Sequence, residues 1–397
     1  MLYFTMEVLY RMLFNAPLDA DILTIAENMT LLSVQNKLKM SIGVLTGLIC
    51  VCETAYFFYN VSFHYDVDYI MTFAALTFNN THAAIIIFHN YSKYSSFKKG
   101  VDMIKSHFWT LDESLPESKK EILMDMKIVK VIMVISLILV LGTPVVYIPF
   151  QGVRYNETLF VFINFLGHAQ VPKPLEYVII CGSVIKLFPQ GYFMLSYLFS
   201  LCYFINHYRY QVNMVKWVLL NSTKNLSIAD DMPQLVESAE CQKIIKRRLD
   251  KCIRQHVVLS RYAEYLVKHF YYTILWHIFS GISLFTSLLY IFLFHNAANN
   301  PVALITNISG AYFAAFLYTA YGQLFQEQTD ILLEAAGSSN WHCYNTSNRR
   351  SLIIFMLNLK RQYKIVGMGI ITLNFEMFIW FSNKVVGLLS VVSLMEE

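Results

Sequence analysis

The residues of this chain that could do chemistry are few, and most lie in apolar surroundings. Glu376 and Lys384 fall inside one long hydrophobic run, and Glu53 and Lys186 fall inside two others. An ionisable group in such a run is costly unless it meets water, a partner or an interface. Glu53 and Lys186 sit at comparable depth in their runs, which permits an ion pair as one reading. His82 and His277 are single imidazoles on apolar faces and read as satisfied core histidines rather than metal ligands. The seven cysteines, Cys50, Cys52, Cys181, Cys202, Cys241, Cys252 and Cys343, form no CxxC pair, so free thiols are expected, with neither a zinc site nor a disulfide framework. No nucleophile, base and orienting group stand at motif spacing, and no Gly-rich loop could cradle a phosphate. Neither an enzyme reaction nor a cofactor is expected.

The elements that must hold these groups follow from composition. Of 397 residues, 56% are hydrophobic and 15% charged, against about 25% charged in a soluble domain. Mean hydropathy is +0.45. The apolar runs recur along the chain and leave no separate soluble core, so one integral membrane domain is expected. A scattered net charge of +4 gives no case for nucleic acid as a partner. A helix needs roughly 20 apolar residues to cross the hydrocarbon core. Seven runs qualify: 41–59, 69–89, 128–150, 177–205, 271–294, 304–324 and 366–394. Residues 352–359 are excluded, because about 12 Å of helix is too short to span.

Direction follows from lysine and arginine in the connecting segments. They crowd the head of the chain and the second, fourth and sixth connections, while the first and fifth have none and the third has only Arg154 and Lys173. The N-terminus is therefore expected in the cytoplasm and the tail "SLMEE" outside. The start, "MLYFTMEVLYRMLFNAP", carries Glu7 and Arg11 at a favourable helical spacing and lacks signal-peptide features, so an amphipathic surface helix is expected there. The chain divides into a cytoplasmic segment 1–40, six spans over 41–324 with cytoplasmic loops 90–127 and 206–270, a cytoplasmic segment 325–365, and a last span with its tail, 366–397. Of the N-x-S/T sites in outside loops, Asn156 is the better glycosylation candidate, because Asn60 lies against the membrane. This orientation is opposite to that of a G-protein-coupled receptor, and that family's Asp-Arg-Tyr and Asn-Pro-x-x-Tyr signals are missing. A transporter would show internal repeats, and the two halves show no obvious self-similarity. Pro144 and Pro189 read as helix kinks that widen a cavity.

Two stretches, "AYGQLFQEQTDILLEAAGSSNW" and "RRSLIIFMLNLKRQYKIVGMGIITLNFEMFIWFSNKVVGLLSVV", resemble the C-terminal region of insect odorant receptors. The matching features are Gly322 and Gln323 at the exit of the sixth span, a small-residue run ending in Trp341, then Ser351, Leu352, Ile354 and Met356, and Leu373, Phe378 and Lys384 in the last span. The segment "LDKCIRQHVVLSRYAEYLVKHF", with Cys252 and His256, resembles the family's stretch before the fifth span. Two departures stand out: Gln323 replaces a common Glu, and Gly387 and Leu388 stand where Tyr-Ser is frequent. The gustatory relatives' Thr-Tyr start and Gln-Phe end of the last span are missing.

The resemblance implies an all-α membrane protein with seven transmembrane helices, a cytoplasmic N-terminus and an extracellular C-terminus, in the insect odorant receptor fold. It implies a subunit of a four-chain, ligand-gated, nonselective cation channel in the plasma membrane of olfactory sensory neurons. Its partners would be a co-receptor subunit, a small volatile hydrophobic ligand, permeant cations and membrane lipid. Trp341, Leu352, Ile354 and Met356 would then belong to the cytoplasmic anchor between subunits. Lys384, Leu388, Val391 and Met395 recur at helical spacing and share a face; under the resemblance that face lines the pore, with Val391 or Leu394 as an apolar gate. The ligand pocket would lie in the outer halves of spans two to six. Those halves hold Tyr69, Thr72, Phe73, Leu76, Leu139, Gly142, Thr143, Val146, Tyr147, Phe188, Tyr192, Tyr312, Phe313 and Phe316, with Ser196, Ser287 and Tyr290 nearby. Aromatic burial with one or two orienting hydroxyls would hold the guest.

Overall fold

The computed structural model describes residues 22–63, 67–146, 172–226, 232–294 and 301–396. The expected helix at 1–17, Tyr147 and Asn156 lie outside them. Twelve α-helices run through the described residues: α1 (Ile22–Gln35), α2 (Lys37–Phe63), α3 (Val67–Ser92), α4 (Tyr94–His107), α5 (Pro116–Val146), α6 (Lys173–Leu220), α7 (Met232–Glu237), α8 (Ala239–Phe294), α9 (Pro301–Gln326), α10 (Gln328–Gly337), α11 (Thr346–Leu359) and α12 (Phe375–Glu396). Helices α2, α6 and α8 are long and apolar enough to cross a membrane by length and composition.

Helix α6 is the axis of the molecule. Nearly every side chain from Gln190 to Ile205 is buried, as expected for a helix apolar on all sides and packed on all sides. Around it stand α1, α3, α5, α8, α9 and α10. Helix α2 offers a single stripe, Gly43, Gly47, Cys50, Glu53 and Phe57, which recurs at helical spacing and is buried. The stripe faces α3 and α6.

The connections expected as cytoplasmic loops are mostly helix. At 48 and 56 residues, α6 and α8 reach about 72 and 84 Å, more than twice a hydrocarbon core of about 30 Å. Their polar ends pair with α5 and with each other. Asp125 meets Arg209 at 3.0 Å, Glu121 meets Lys216 at 3.6 Å and Glu117 meets Lys224 at 2.9 Å, so carboxylates four residues apart on α5 meet bases on antiparallel α6. Arg248 on α8 donates to the carbonyls of Asn221, Ser222 and Lys224 just past the end of α6. These carbonyls would otherwise lack partners at a helix end.

The last expected span, 366–394, requires a correction. Its first residues form a two-stranded antiparallel hairpin, β1 (Val366–Gly367) and β2 (Ile371–Thr372), and α12 starts only at Phe375. Met368 and Gly369 adopt positive φ of 47° and 76°, a turn that a helix cannot pass through. Asn374 restarts the helix, its Oδ1 accepting from the Met377 amide at 3.0 Å. Glu376 therefore stands in the first turn of α12, where a carboxylate complements the helix dipole, and not within a span. A hairpin this short is not stable alone. It is held by close backbone approach: a Cβ on Gly367 would meet Leu275 N of α8 at 2.9 Å, and one on Gly322 of α9 would meet Leu373 O at 2.1 Å.

Residues 352–359 form a non-spanning helix as expected, within a helix that starts six residues earlier, at Thr346. Helix α11 begins after Asn345, whose side chain accepts from the Asn348 amide. Asn348, Leu352, Phe355 and Leu359 are buried on one face. Gln242 of α8 bonds both Asn345 and Asn348, which fixes the helix to the lower part of α8.

Candidate functional site

A cavity of about 230 Å³ opens where α3, α5, α6, α8, α9 and α12 converge. It exists because the sequence puts small residues there. Gly281 on α8 and Gly310, Ala311, Ala314 and Ala315 on α9 line it, and no atom lies within 4 Å of a Cβ placed on Gly310. Apolar side chains fill most of the remaining wall: Leu76 from α3, Leu139 and Val140 from α5, Leu187, Met194 and Leu198 from α6, Leu284 and Phe285 from α8. Met377, Phe378 and Phe381 of α12 close one side.

A polar patch interrupts this wall. The His82 and His277 rings lie 4.0 Å apart between centroids. His277 Nε2 is 2.6 Å from the Tyr318 hydroxyl, and His82 Nδ1 is hydrogen-bonded to Ser280 Oγ. Gln190 reaches the wall from a second network. Lys186 is paired with Glu53 in the interior, Asn80 bonds both, and Gln190 Nε2 donates to Asn80 Oδ1 at 3.1 Å. The two ionisable groups expected at comparable depth do form an ion pair, and His82 and His277 are core histidines that also face a cavity. All seven thiols are free.

Of the residues expected to line a ligand pocket, Leu76 and Leu139 stand in the cavity wall. Tyr69 and Phe73 instead pack with Phe57 of α2. Tyr192 is buried toward α1 and α2, with Lys39 over its ring. Phe188 is 37% exposed on the face of α6 away from the cavity. Tyr312 and Phe316 are exposed on α9 against Phe378, and Phe313 packs at the edge of the core. Gly142 has no atom within 4 Å of a built Cβ. Thr72, Thr143 and Val146 are placed on α3 and α5 by backbone alone. Ser196, Ser287 and Tyr290 are buried outside the wall. Of the side chains that sequence reasoning passed over, Gln190, Ser280 and Tyr318, only Tyr318 shares its helix with a signal, the Gly and Ala run "ISGAYFAAF" of α9.

On α12, Met377, Phe381 and Val385 are buried, while Lys384, Leu388, Val391 and Leu394 are exposed on the remaining surface. The Lys384 Nζ lies 5.7 Å from the Trp380 ring centroid. The side chain of Met395 is outside the described set. On and beside α11, Leu352 is buried, Met356 is half-buried, and Ile354 and Trp341 are 60% and 48% exposed. On α8, His256 packs edge-on to Phe355 of α11 at 5.4 Å. Burial holds the His256 imidazole below its ordinary pKa and pushes the Cys252 thiol up to about 12.

This architecture, helices of spanning length around a mostly apolar cavity, defines a multi-pass membrane protein. The model of the 7tm Odorant receptor family matches residues 68–383, and the chain belongs to that family. It is a family of receptors, not of enzymes. Among solved structures, the insect olfactory receptor OR5 from Machilis hrabei in complex with eugenol is similar, with a TM-score of 0.71 at 10% identity, over 97% of this chain and 99% of that one. The same receptor in the structure described without a ligand gives 0.67 at 10% identity, over 90% of each chain. At that identity the likeness establishes the fold. No curated protein sequence matches the chain.

Proposed function

We propose that the chain is the odorant-binding subunit of a nonselective cation channel, gated by a small volatile hydrophobic ligand and assembled with a co-receptor subunit. The observation that carries this reading is the double role of α12. One side of the helix closes the cavity through Met377, Phe378 and Phe381, and the other exposes Lys384, Leu388, Val391 and Leu394. A ligand shifts an equilibrium only through contacts that differ between the two states. Here those contacts fall on the helix that would line the conduit, with Val391 or Leu394 as the apolar constriction. A receptor of the same fold was solved with eugenol, which supports a small organic guest.

Seven spans are then drawn from α2, α3, α5, α6, α8, α9 and α12, with the basic ends of α6 and α8 in the cytoplasm. Asn156 would carry a glycan on the outer side, and the plasma membrane of olfactory sensory neurons is the expected site of action. The test is co-expression with a co-receptor in a cell without olfactory signalling, with whole-cell current recorded over a broad volatile panel. Ligand-evoked cation current without added nucleotide or G protein is expected. Silence across the panel, with surface delivery verified, would overturn the reading, as would a terminal tag showing the N-terminus outside.

A further inference from the structure

The polar atoms at the cavity wall are unevenly divided between donors and acceptors. The Ser280 hydroxyl can donate its one proton to the His277 carbonyl at 3.2 Å. Its contact with His82 Nδ1 is satisfied in either direction, the imidazole donating to the serine oxygen or accepting from its hydroxyl. His82 Nε2 is buried without a partner and takes whichever role the tautomer leaves it. A chain of constraints begins at the Glu53 carboxylate, which only accepts. The Asn80 amide nitrogen therefore faces Glu53, and Asn80 Oδ1 accepts from Lys186 at 3.3 Å and from Gln190 Nε2 at 3.1 Å. The Gln190 amide is thereby oriented, and its Oε1 is a buried acceptor without a partner. Both residues line the cavity, and His82 is 7% and Gln190 1% exposed. His277 and Tyr318 satisfy each other. Asn79, Thr306 and Asn307, at the same wall, each offer a donor and an acceptor and so favour neither class of guest.

We infer that the cavity selects small apolar molecules carrying an O–H or N–H donor, alcohols and phenols foremost, over ethers, esters and ketones of similar shape. The inference rests on the reading that this cavity takes the ligand. A hydroxyl brings Gln190 Oε1 the proton that it lacks and can pair with His82 Nε2 in either role, whereas an acceptor-only guest leaves Gln190 Oε1 unpaired and sets oxygen against a lone pair. An unmade buried hydrogen bond of this kind corresponds to roughly tenfold to a hundredfold in affinity.

The experiment measures binding to the full-length purified chain in detergent, by ligand-induced thermal stabilisation and calorimetry, so that no current is required. The probes are phenylethanol and octanol, each against its methyl ether and against the hydrocarbon of matched size. At least tenfold tighter binding of the hydroxyl members is expected. Gln190→Leu should narrow that ratio while leaving hydrocarbon binding unchanged, and if the variant fails to fold, the wild-type ratio alone decides. Equal or tighter binding of the ethers overturns the inference and leaves the receptor reading standing. Binding of no probe overturns both. Hydroxyl-selective binding without evoked current upholds the inference and counts against the channel.

Discussion

Lys186 and Glu53 meet within the bundle, with Asn80 completing the acceptors and donors around them. A buried pair of this kind contributes little net stability, but removing one partner strands the other charge at a cost of about 3–5 kcal/mol. Lys186→Met is therefore expected to lower thermal stability in detergent strongly, and Glu53→Gln/Lys186→Met to recover more than half of that loss. A double variant no more stable than Lys186→Met would show that packing, not charge, is at stake. His256 gives a second test. Its folded pKa lies below the ordinary value of about 6.5, so the unfolded chain binds the extra proton first as pH falls. The stability it contributes is complete above about pH 6.5 and declines as pH drops from there toward the folded pKa. The melting temperature of His256→Gln should fall less than that of wild type between about pH 7.5 and pH 5.5, and hydrogen exchange in α11, which His256 touches through Phe355, should report the same difference.

Among the elements, the hairpin before α12 depends on two glycines rather than on its own strands. Gly322→Ala places a methyl 2.1 Å from the Leu373 carbonyl, and neither backbone can retreat without moving α9 or β2. A loss of about 1–3 kcal/mol or more is expected, read as reduced melting temperature, while Gly142→Ala, with open space around it, should be neutral or slightly stabilising. The same hairpin shows where sequence reasoning stopped. Hydrophobic runs located α2, α6 and α8, the helices long and apolar enough to cross a membrane, and the short helix at 352–359, because period and length are local properties. The run from 366 is as apolar as a span, and only the positive φ at Met368 and Gly369 breaks it, a feature set by packing on Tyr271 and Leu275. Of the cavity wall, only Leu76 and Leu139 were among the pocket residues expected from the sequence. Its polar patch was not legible, because His82, Ser280, His277 and Tyr318 are brought together from α3, α8 and α9, and no spacing along the chain encodes that meeting.

For the whole molecule, α11 poses a problem that a single chain cannot solve. It buries Leu352 and Phe355 internally yet exposes Ile353, Ile354 and Leu357, with Trp341 exposed nearby. This apolar ridge stands at the polar end of the molecule, beside the basic stretches of α8, where lipid tails do not reach if the spans lie as proposed. An exposed apolar patch in water marks an interaction surface, and the anchor between subunits is the proposed occupant. Ile354→Glu should leave the protomer folded, since an exposed substitution changes stability by only about 0.5 kcal/mol. Assembly is another matter, because a carboxylate at a buried subunit contact must be desolvated without a partner. Mass photometry of the co-purified complex should show the four-chain species replaced by smaller ones, with the melting temperature of the released protomer unchanged. Four-chain particles at the wild-type proportion would place the subunit contact elsewhere and leave the α11 ridge without a role in assembly.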